Sequence, residues 1–272
     1  MILLRNALLL AAILLLSLAR LEAQTTANKA ALPAAPPASA PLPKLRLDTA
    51  QTVACKVHFS RWGQVPNGEP NQFQLDFVAD YAVQAQRPNR MRVLDLTSNY
   101  ESRYIKDKKG RISILMSESY VSDGKQQMEW DNVIKLYFIQ PSATTIADLG
   151  KEMQQPHLLY PELLFMPDAL NTLKFKADGT EVVNGKSTAV YRKFPPNQDE
   201  TVIYMDLQTR LPVRISLFSL DRQGDRAEMV RTDYSDWKFD VKFPPKTFDT
   251  TPPPGYTNLA DKMKKLQKPA GQ

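Results

Sequence analysis

Residues that build metal, redox and phosphate sites are scarce in this chain. Its 272 residues include one cysteine, two histidines and ten glycines. A single cysteine cannot form an internal disulfide, and no ligand set around His58 or His157 has the spacing of a zinc site. We find no nucleophile elbow, glycine-rich phosphate loop or base–nucleophile pair. The sequence therefore predicts a non-enzymatic protein without a metal or cofactor.

Long apolar runs are equally scarce, apart from one at the N-terminus. Arg5 precedes an uncharged segment from Ala7 to Ala19, about 13 residues long, which is too short to cross a bilayer and typical of a signal-peptide core. The small residue Ala23 predicts cleavage at that point, so residues 1–23 are expected to be a signal peptide, with a retained signal anchor as the alternative. The protein is then exported to the periplasm, or beyond it to the extracellular space.

Charge of one sign does not dominate the chain. The formal net charge is +6, from 35 basic and 29 acidic residues that are interleaved rather than striped. An exported protein with this distribution is not expected to bind nucleic acid. Residues 257–272 carry several lysines and are predicted to form a basic flexible tail. A weak attraction of this tail to anionic lipid headgroups is the functional alternative.

Aromatic residues are absent from residues 24–44, where alanine and proline dominate. Such a segment cannot bury enough apolar surface to offset its conformational entropy, so it is predicted to be a disordered tether. The folded unit is expected to be one domain covering residues 45–256, which is long enough for a substantial core.

Alternation of apolar and polar residues with period two is the dominant pattern in this domain. It is clearest from Phe73 to Val83, which predicts a long strand with one apolar and one solvated face. Met91 and Val93 belong to the next predicted strand. Cys55 follows the same alternation and lies too far past the N-terminal apolar run for lipid attachment, so we expect a buried strand residue. His58 has the opposite parity and is expected on the polar face.

Turn-forming residues separate many further strands. The predicted turns are residues 107–110, 122–125, 177–179, 183–186 and 206–212, and the last predicted strands are residues 229–237 and 238–243. Between about Thr145 and Leu173 the alternation is lost, and two short helices broken at Pro156 and Pro161 are predicted. The fold class is therefore α+β but mostly β. We expect one strongly curved antiparallel sheet, an unclosed β-barrel, with a few short helices covering its concave face.

Three short strings occur in an order that is typical of one kind of protein. They are Arg87-Pro88-Asn89, Val121-Ser122-Asp123-Gly124-Lys125 and Phe248-Asp249-Thr250-Thr251-Pro252-Pro253-Pro254-Gly255-Tyr256. With these strings the chain resembles the LolA/LolB-like periplasmic lipoprotein carriers, over about Arg46 to Tyr256. Members of this superfamily hold acyl chains in a half-open β-barrel, so the resemblance implies that fold and a carrier function.

The resemblance also implies a groove and a lid. An arginine at the position of Arg87 bonds to a helical lid in the empty state and releases it when acyl chains enter, so Arg87 is the expected lid latch. Strand parity places Arg87 at the end of the apolar face, and a solvated strand-end residue is the alternative. The residues expected to line the acyl groove are Phe73, Leu75, Phe77, Tyr81, Val83, Met91, Val93, Met116 and Trp130.

Two functions of different classes fit this pattern. One is a monomeric periplasmic carrier that binds lipid or lipoprotein acyl chains and exchanges them with a membrane-bound donor or acceptor. The other is an envelope protein-interaction or sensor module, whose interior is a filled core and whose curved sheet docks a protein partner. Periodicity does not separate a filled core from an empty groove, because both use the same apolar residues.

Overall fold

Strands dominate the described part of the chain. The computed structural model describes residue 47 and residues 49–64, 73–97, 104–106, 112–114, 118–145, 169–193, 200–220 and 226–267. The strands are β1 (Thr52–Gln64), β2 (Phe73–Gln86), β3 (Arg90–Asp95), β4 (Tyr104–Lys106), β5 (Ile112–Ile114), β6 (Glu118–Ser122), β7 (Gln126–Asp131), β8 (Leu136–Pro141), β9 (Lys176–Val183), β10 (Lys186–Lys193), β11 (Glu200–Asp206), β12 (Pro212–Leu220), β13 (Arg226–Phe239) and β14 (Thr257–Asn258). The helices are α1 (Ala169–Thr172) and α2 (Leu259–Gln267).

Twelve of these strands form one sheet in the order β14-β8-β7-β6-β3-β2-β1-β13-β12-β11-β10-β9. Neighbouring strands pair antiparallel, except that β14 runs parallel to β8 over two residues. Within the described residues the two edge strands, β14 and β9, do not pair with each other, so the sheet is unclosed. β4 and β5 form a separate two-stranded sheet. The predicted single large antiparallel sheet is confirmed.

The sheet curves around one apolar interior. Buried side chains from Tyr120 in β6 to Tyr191 in β10 belong to a single cluster, although these strands are seven positions apart in the sheet. On a flat sheet that separation would be about 34 Å, at roughly 4.8 Å per strand. Leu47 and Ala50, which precede β1, and Leu170 in α1 complete the cluster. We call the face that carries it the inner face.

Alternation along β1 and β2 follows the predicted period. On β2, Tyr81 and Val83 are buried on the inner face, while Asp80, which precedes Tyr81, is exposed on the outer face. His58 is also exposed on the outer face, and its Nδ1 lies 2.7 Å from Asp80 Oδ1. Cys55 is 4% exposed, and burial raises the pKa of its thiol far above the usual range. It is therefore a protonated core residue, as predicted, rather than a reactive thiolate.

One predicted turn is wrong, and another is confirmed. Ala177-Asp178-Gly179 lies inside β9, where Gly179 has φ +90° and the β9–β10 register shifts by one residue. The Asp-Gly pair therefore marks a β-bulge, since a bulge needs the same left-handed glycine as a turn. The turn at 183–186 is confirmed, with Asn184 and Gly185 both at positive φ between β9 and β10.

The strand predicted at 229–237 and the first two residues of the strand predicted at 238–243 form one strand, and residues 240–243 lie outside it. β13 runs without a break from Arg226 to Phe239. Asp236 has φ +54°, and the register with β1 shifts between Ala54 and Lys56. The bulge interrupts the alternation without ending the strand, which is why the sequence pattern suggests a boundary there.

Helices α1 and α2 are short. The helices predicted between about Thr145 and Leu173 fall mostly outside the described residues, and α1 is the part that is described. Helix α2 forms where a flexible tail is predicted, because Asn258 caps its start: the Asn258 Oδ1 accepts the Ala260 N–H at 2.8 Å. Among the described helices, none has the length and apolar character needed to cross a membrane. The predicted signal peptide, tether and turn at 107–110 lie outside the described residues.

Candidate functional site

The three sequence strings meet at one end of the sheet, where β1 begins and β2 ends. We call it the motif end. Asn89, in the first string, donates from Nδ2 to the carbonyl oxygen of Gly124 in the second, at 2.9 Å, and Ser122 Oγ donates to the carbonyl of Asn89 at 2.9 Å. Gln126 follows the second string and donates from Nε2 to Thr250 Oγ1 in the third, at 2.6 Å. One hydrogen-bonded network therefore joins residues that are far apart in sequence.

The turn between β6 and β7 holds this network in place. Asp123 Oδ1 accepts the N–H groups of Lys125 at 2.7 Å and Gln126 at 2.9 Å, which is the hydrogen bonding of an Asx turn. Gly124 has φ +91°, and a Cβ at this position would lie 2.6 Å from Asn89 Oδ1. Only glycine combines this backbone conformation with such a close approach of Asn89.

Arg87 fastens the segment that leads into β1 over the apolar interior. Its Nε donates to the carbonyl of Ala50 at 2.8 Å, and its Nη2 donates to the carbonyl of Leu47 at 3.1 Å. The backbone N–H of Arg87 also donates to the carbonyl of Gln51 at 2.9 Å. Leu47 and Ala50 are 0% and 7% exposed and belong to the core cluster. The half-buried guanidinium thus holds two apolar residues against the inner face.

Five of the predicted groove residues share the inner face. They are Phe77, Tyr81, Val83, Met91 and Val93, and none is more than 6% exposed. β2 and β3 pair directly, with Val83 opposite Val93, so these side chains form one continuous apolar wall. This part of the interior is filled by the protein's own side chains.

The other four predicted groove residues are not brought together with these five. Leu75 is 53% exposed, because an extra residue in β2 between Leu75 and Phe77 reverses the facing of the strand. Trp130 packs with Phe248 in a separate cluster on the outer face. Phe73 lies at the start of β2, but its side chain is outside the described part, and Met116 lies outside the described residues.

A cavity of about 520 Å³ lies at the motif end, two strands from Arg87. Phe239 in its wall pairs with Val53 of β1, which in turn pairs with Ala85 of β2, close to Arg87. The apolar wall is formed by Leu211, Val213, Tyr234, Trp237 and Phe239, and the polar rim by Asn184, Lys186, Thr209, Ser235 and Asp236. The volume lies in the range of small-molecule sites, and polar and apolar groups share the lining about equally.

Three stacked aromatic rings form the main wall of this cavity. The Tyr234 and Trp237 ring centroids are 5.7 Å apart with planes at 17°, and those of Trp237 and Phe239 are 6.3 Å apart with planes at 14°. Trp237 Nε1 donates to the carbonyl of Pro212 at 3.1 Å, which fixes the indole. Strict alternation would put Tyr234 and Trp237 on opposite faces, so the sequence pattern does not predict this wall. The bulge at Asp236 adds one residue to β13 and places both rings on the same face.

Asp206 orders the turn at the rim of the cavity. Its Oδ1 accepts the N–H groups of Gln208 at 2.8 Å and Thr209 at 3.1 Å, and its Oδ2 lies 3.4 Å from Lys186 Nζ. Burial disfavours the charged carboxylate, but the two N–H groups and the lysine outweigh burial and lower the pKa of Asp206. The rim therefore keeps an ordered turn and a paired charge beside the apolar wall.

The buried carboxylate of Glu200 is paired. Glu200 is 2% exposed and accepts from Arg192 Nη1 at 2.7 Å, while its other oxygen pairs with Arg226. The part of the chain that the structure describes has no group of three His, Cys, Asp or Glu side chains able to hold a metal. The motif-end site offers aromatic faces, apolar contact area and a polar rim, which suits non-covalent binding of an apolar ligand with a polar end.

Comparison with known proteins gives a family match but no curated relative. A family model described as a predicted periplasmic protein (DUF2092) matches residues 65–260. This match confirms the predicted periplasmic location. No curated protein matches the chain in sequence.

Solved structures with a similar fold have very different sequences. An uncharacterised conserved protein from Thermus thermophilus is 9% identical over 78% of this chain and 91% of that chain, with a TM-score of 0.43. A LolA superfamily protein from Nitrosomonas europaea is 11% identical over 74% and 90% of the two chains, with a TM-score of 0.30. A chain of the Pseudomonas aeruginosa MucA/MucB complex is 12% identical over 75% and 57%, with a TM-score of 0.32. These likenesses are loose.

Proposed function

This chain belongs to the DUF2092 family of predicted periplasmic proteins, and on that premise we propose that it is a non-enzymatic carrier of lipid or lipoprotein acyl chains. It holds the chains non-covalently inside the curved sheet, under a lid that Arg87 fastens in the empty state. The carrier works as a monomer and exchanges its cargo with a membrane-bound donor or acceptor.

The cavity at the motif end is the observation that carries this proposal. Leu211 and Tyr234 in its wall belong to the main core cluster, and Trp237 and Phe239 pack against that cluster. An apolar ligand against these four residues therefore contacts side chains that also pack on the apolar interior. Each methylene group removed from water contributes about 0.8 kcal/mol, so burying about six of them contributes roughly 5 kcal/mol before the entropy lost on binding.

Arg87 supplies the switch between empty and loaded states. Its two side-chain hydrogen bonds to the carbonyls of Leu47 and Ala50 exist only while the segment before β1 is packed on the inner face. An acyl chain that extends from the cavity into the interior competes with Leu47 and Ala50 for the same apolar surface. Filling the interior then releases the segment from Arg87. Because the acyl chain binds the released state more tightly than the closed state, binding shifts the equilibrium towards release.

The predicted groove residues of β2 and β3 are the deep wall in this proposal. Phe77, Tyr81, Val83, Met91 and Val93 lie beyond β1 from the cavity and are buried in the empty protein. They contact the acyl chain after the segment that leads into β1 moves. The groove roles of Phe73 and Met116 stay predictions, and Leu75 and Trp130 are left out because they do not face this interior.

Fluorescence quenching of Trp237 by a brominated fatty acid tests the proposal. The chain has three tryptophans, and Trp237 alone lines this cavity. In a Trp62→Phe/Trp130→Phe background, we expect saturable quenching by bromododecanoate with one site per protein. Trp237→Phe in the wild-type background is the matched control, because it keeps an aromatic wall and removes the reporter.

Absence of saturable quenching, with native circular dichroism retained, would contradict the carrier function. Quenching that persists unchanged in the Trp237→Phe variant would show that the fatty acid binds beside another tryptophan. That outcome would contradict the location of the site.

A protein-interaction module is the second candidate, and one observation favours it. Tyr81, Met91 and Val93 are 0% exposed, so the β2–β3 part of the inner face is filled in the empty protein. A module of this kind would take up no fatty acid, and crosslinking in the periplasm would recover one protein partner at stoichiometric yield. The quenching titration separates the two functions.

A further inference from the structure

Exposed apolar side chains form a continuous surface at the β14–β8 edge of the sheet. Ile134, Leu259 and Met263 are 42%, 38% and 48% exposed. Leu259 and Met263 are four residues apart in α2 and so lie on one side of the helix. Ile134 and Leu259 line the same small cavity, of about 280 Å³, which joins the helix to the β7–β8 turn. We call these three residues the docking surface.

The docking surface has a fixed geometry. β14 pairs with Leu136 and Tyr137 of β8, which anchors the start of α2 at the edge of the sheet. Asn258 then caps the helix through its hydrogen bond with the Ala260 N–H. The β14–β8 pairing thus places the start of α2 at this edge, where Leu259 and Met263 are exposed.

Basic side chains flank this surface. Lys135 precedes β8, and Lys262 and Lys264 lie on α2; all three are exposed. Asp261 is the one acidic residue in α2, and Glu129 and Asp131 line the cavity beside Ile134 and Leu259. Apolar side chains framed by lysines are typical of helices that lie in a membrane interface, where the lysines reach anionic headgroups. Protein–protein interfaces are instead depleted in lysine. We infer that the docking surface attaches this periplasmic protein to a membrane that contains anionic lipid.

Vesicle co-sedimentation of the full-length protein, purified from a periplasmic extract, tests this inference. The probes are phosphatidylcholine vesicles with and without phosphatidylglycerol. The variant Leu259→Glu/Met263→Glu places charge on the docking surface. Val182→Glu is the matched control, because Val182 is an equally exposed apolar residue, at 57%, on β9 at the opposite edge of the sheet.

We expect wild type and Val182→Glu to sediment with vesicles that contain phosphatidylglycerol. Binding of Leu259→Glu/Met263→Glu should be at least tenfold weaker. Lys262→Gln/Lys264→Gln should lose about fivefold in affinity per lysine, since a basic residue near an anionic surface contributes about 1 kcal/mol. Added salt should weaken the binding of wild type for the same reason.

The inference is overturned if wild type does not bind these vesicles, or if the charged variant binds them as well as Val182→Glu. It is also overturned if analytical ultracentrifugation shows a dimer that Leu259→Glu/Met263→Glu dissociates, because the surface would then join two copies of the chain. Docking without fatty acid uptake would contradict the proposed carrier function alone. Uptake at Trp237 without docking would contradict this inference alone.

Discussion

At the residue scale, the contact between Gly124 and Asn89 shows why the sequence strings have the composition they do. Asn89 Nδ2 donates to the carbonyls of both Gly124 and Ala143, so one amide joins the β2–β3 turn to the β6–β7 turn and to the segment after β8. The amide can approach only because residue 124 has no side chain. The residues of these strings therefore form the turns and the packing contacts of the motif end.

Replacing Gly124 with alanine should destabilise the protein more than the same change at Gly185. Both glycines have positive φ, at +91° and +74°, but only the Cβ at 124 meets another group, Asn89 Oδ1 at 2.6 Å. We expect Gly185→Ala to lower the free energy of unfolding by about 1 kcal/mol from backbone strain. Gly124→Ala should lower it by roughly 2–4 kcal/mol, because the Asn89 hydrogen bonds are also disturbed. Urea unfolding measures both, and equal effects would contradict the role given to Asn89.

Replacing Arg87 with methionine should free the segment that leads into β1. Hydrogen bonds from a charged donor contribute about 1.5–3 kcal/mol each. Their loss therefore reduces the free-energy difference that favours the closed arrangement of this segment over a released one. We expect faster amide exchange at Thr49 to Val53 and tighter binding of dodecanoate. Arg92→Met is the control, because Arg92 lies on β3 between the inward-facing Met91 and Val93 and points to the other face. Unchanged exchange in Arg87→Met would refute the latch.

Acid should remove the stability that Asp206 contributes. Its folded-state pKa is lowered, so its contribution is complete above the unfolded-state value, which is near 4 for aspartate, and is lost as the pH falls through the lower folded-state value. We expect the gap in free energy of unfolding between wild type and Asp206→Asn to be constant near neutral pH and to shrink below about pH 4. A gap that is independent of pH would contradict this assignment.

At the scale of elements, the bulge in β13 creates the aromatic wall. Asp236 at φ +54° sets Trp237 and Phe239 on the same side as Tyr234. Aspartate tolerates this backbone conformation and a β-branched residue does not. The bulge is thus the element on which the candidate site depends.

Substitutions at Asp236 should separate the bulge from the charge. Asp236→Gly keeps the backbone conformation and removes the ion pair with Lys56, whose Nζ lies 2.7 Å from Asp236 Oδ2. We expect this variant to bind dodecanoate like wild type. Asp236→Val should lose about 1–3 kcal/mol of stability from strain and bind at least tenfold more weakly, because Trp237 leaves the wall. Isothermal titration calorimetry measures the binding, and equal affinities would show that the bulge does not shape the site.

Turn-forming residue pairs predict a turn reliably only where no other structure uses the same pairs. Asn184-Gly185 forms a hairpin turn as predicted, whereas Asp178-Gly179 occupies a bulge inside β9. Both pairs supply a residue at positive φ, and only the pairing of the neighbouring strands decides which structure results. The same limit explains Trp237 and Leu75: a single extra residue in a strand reverses the facing of everything beyond it, and the residue pattern does not mark where it is inserted.

At the scale of the whole molecule, the alternation of apolar and polar residues and the positions of turn-forming residues are enough to predict the large unclosed sheet. Strands such as β2 combine one apolar and one polar face, and such strands must cover a common interior. The inward set Tyr81, Val83, Met91 and Val93 follows from this rule. The open volume does not: it lies at the motif-end termini of β12 and β13, beside the β9–β10 and β11–β12 turns, where apolar and polar side chains meet. Sequence composition does not distinguish a filled region from a cavity, because the difference is one of local curvature and bulges.

Native mass spectrometry of the protein purified from the periplasm without detergent tests whether it carries acyl chains. We expect a protein population that carries one or more acyl-chain species, which organic extraction removes and dodecanoate restores. Trp237→Glu, with its circular dichroism unchanged, should carry none. A clean unliganded mass for wild type that takes up no dodecanoate on titration would contradict the carrier function and leave the protein-interaction module as the account of this fold.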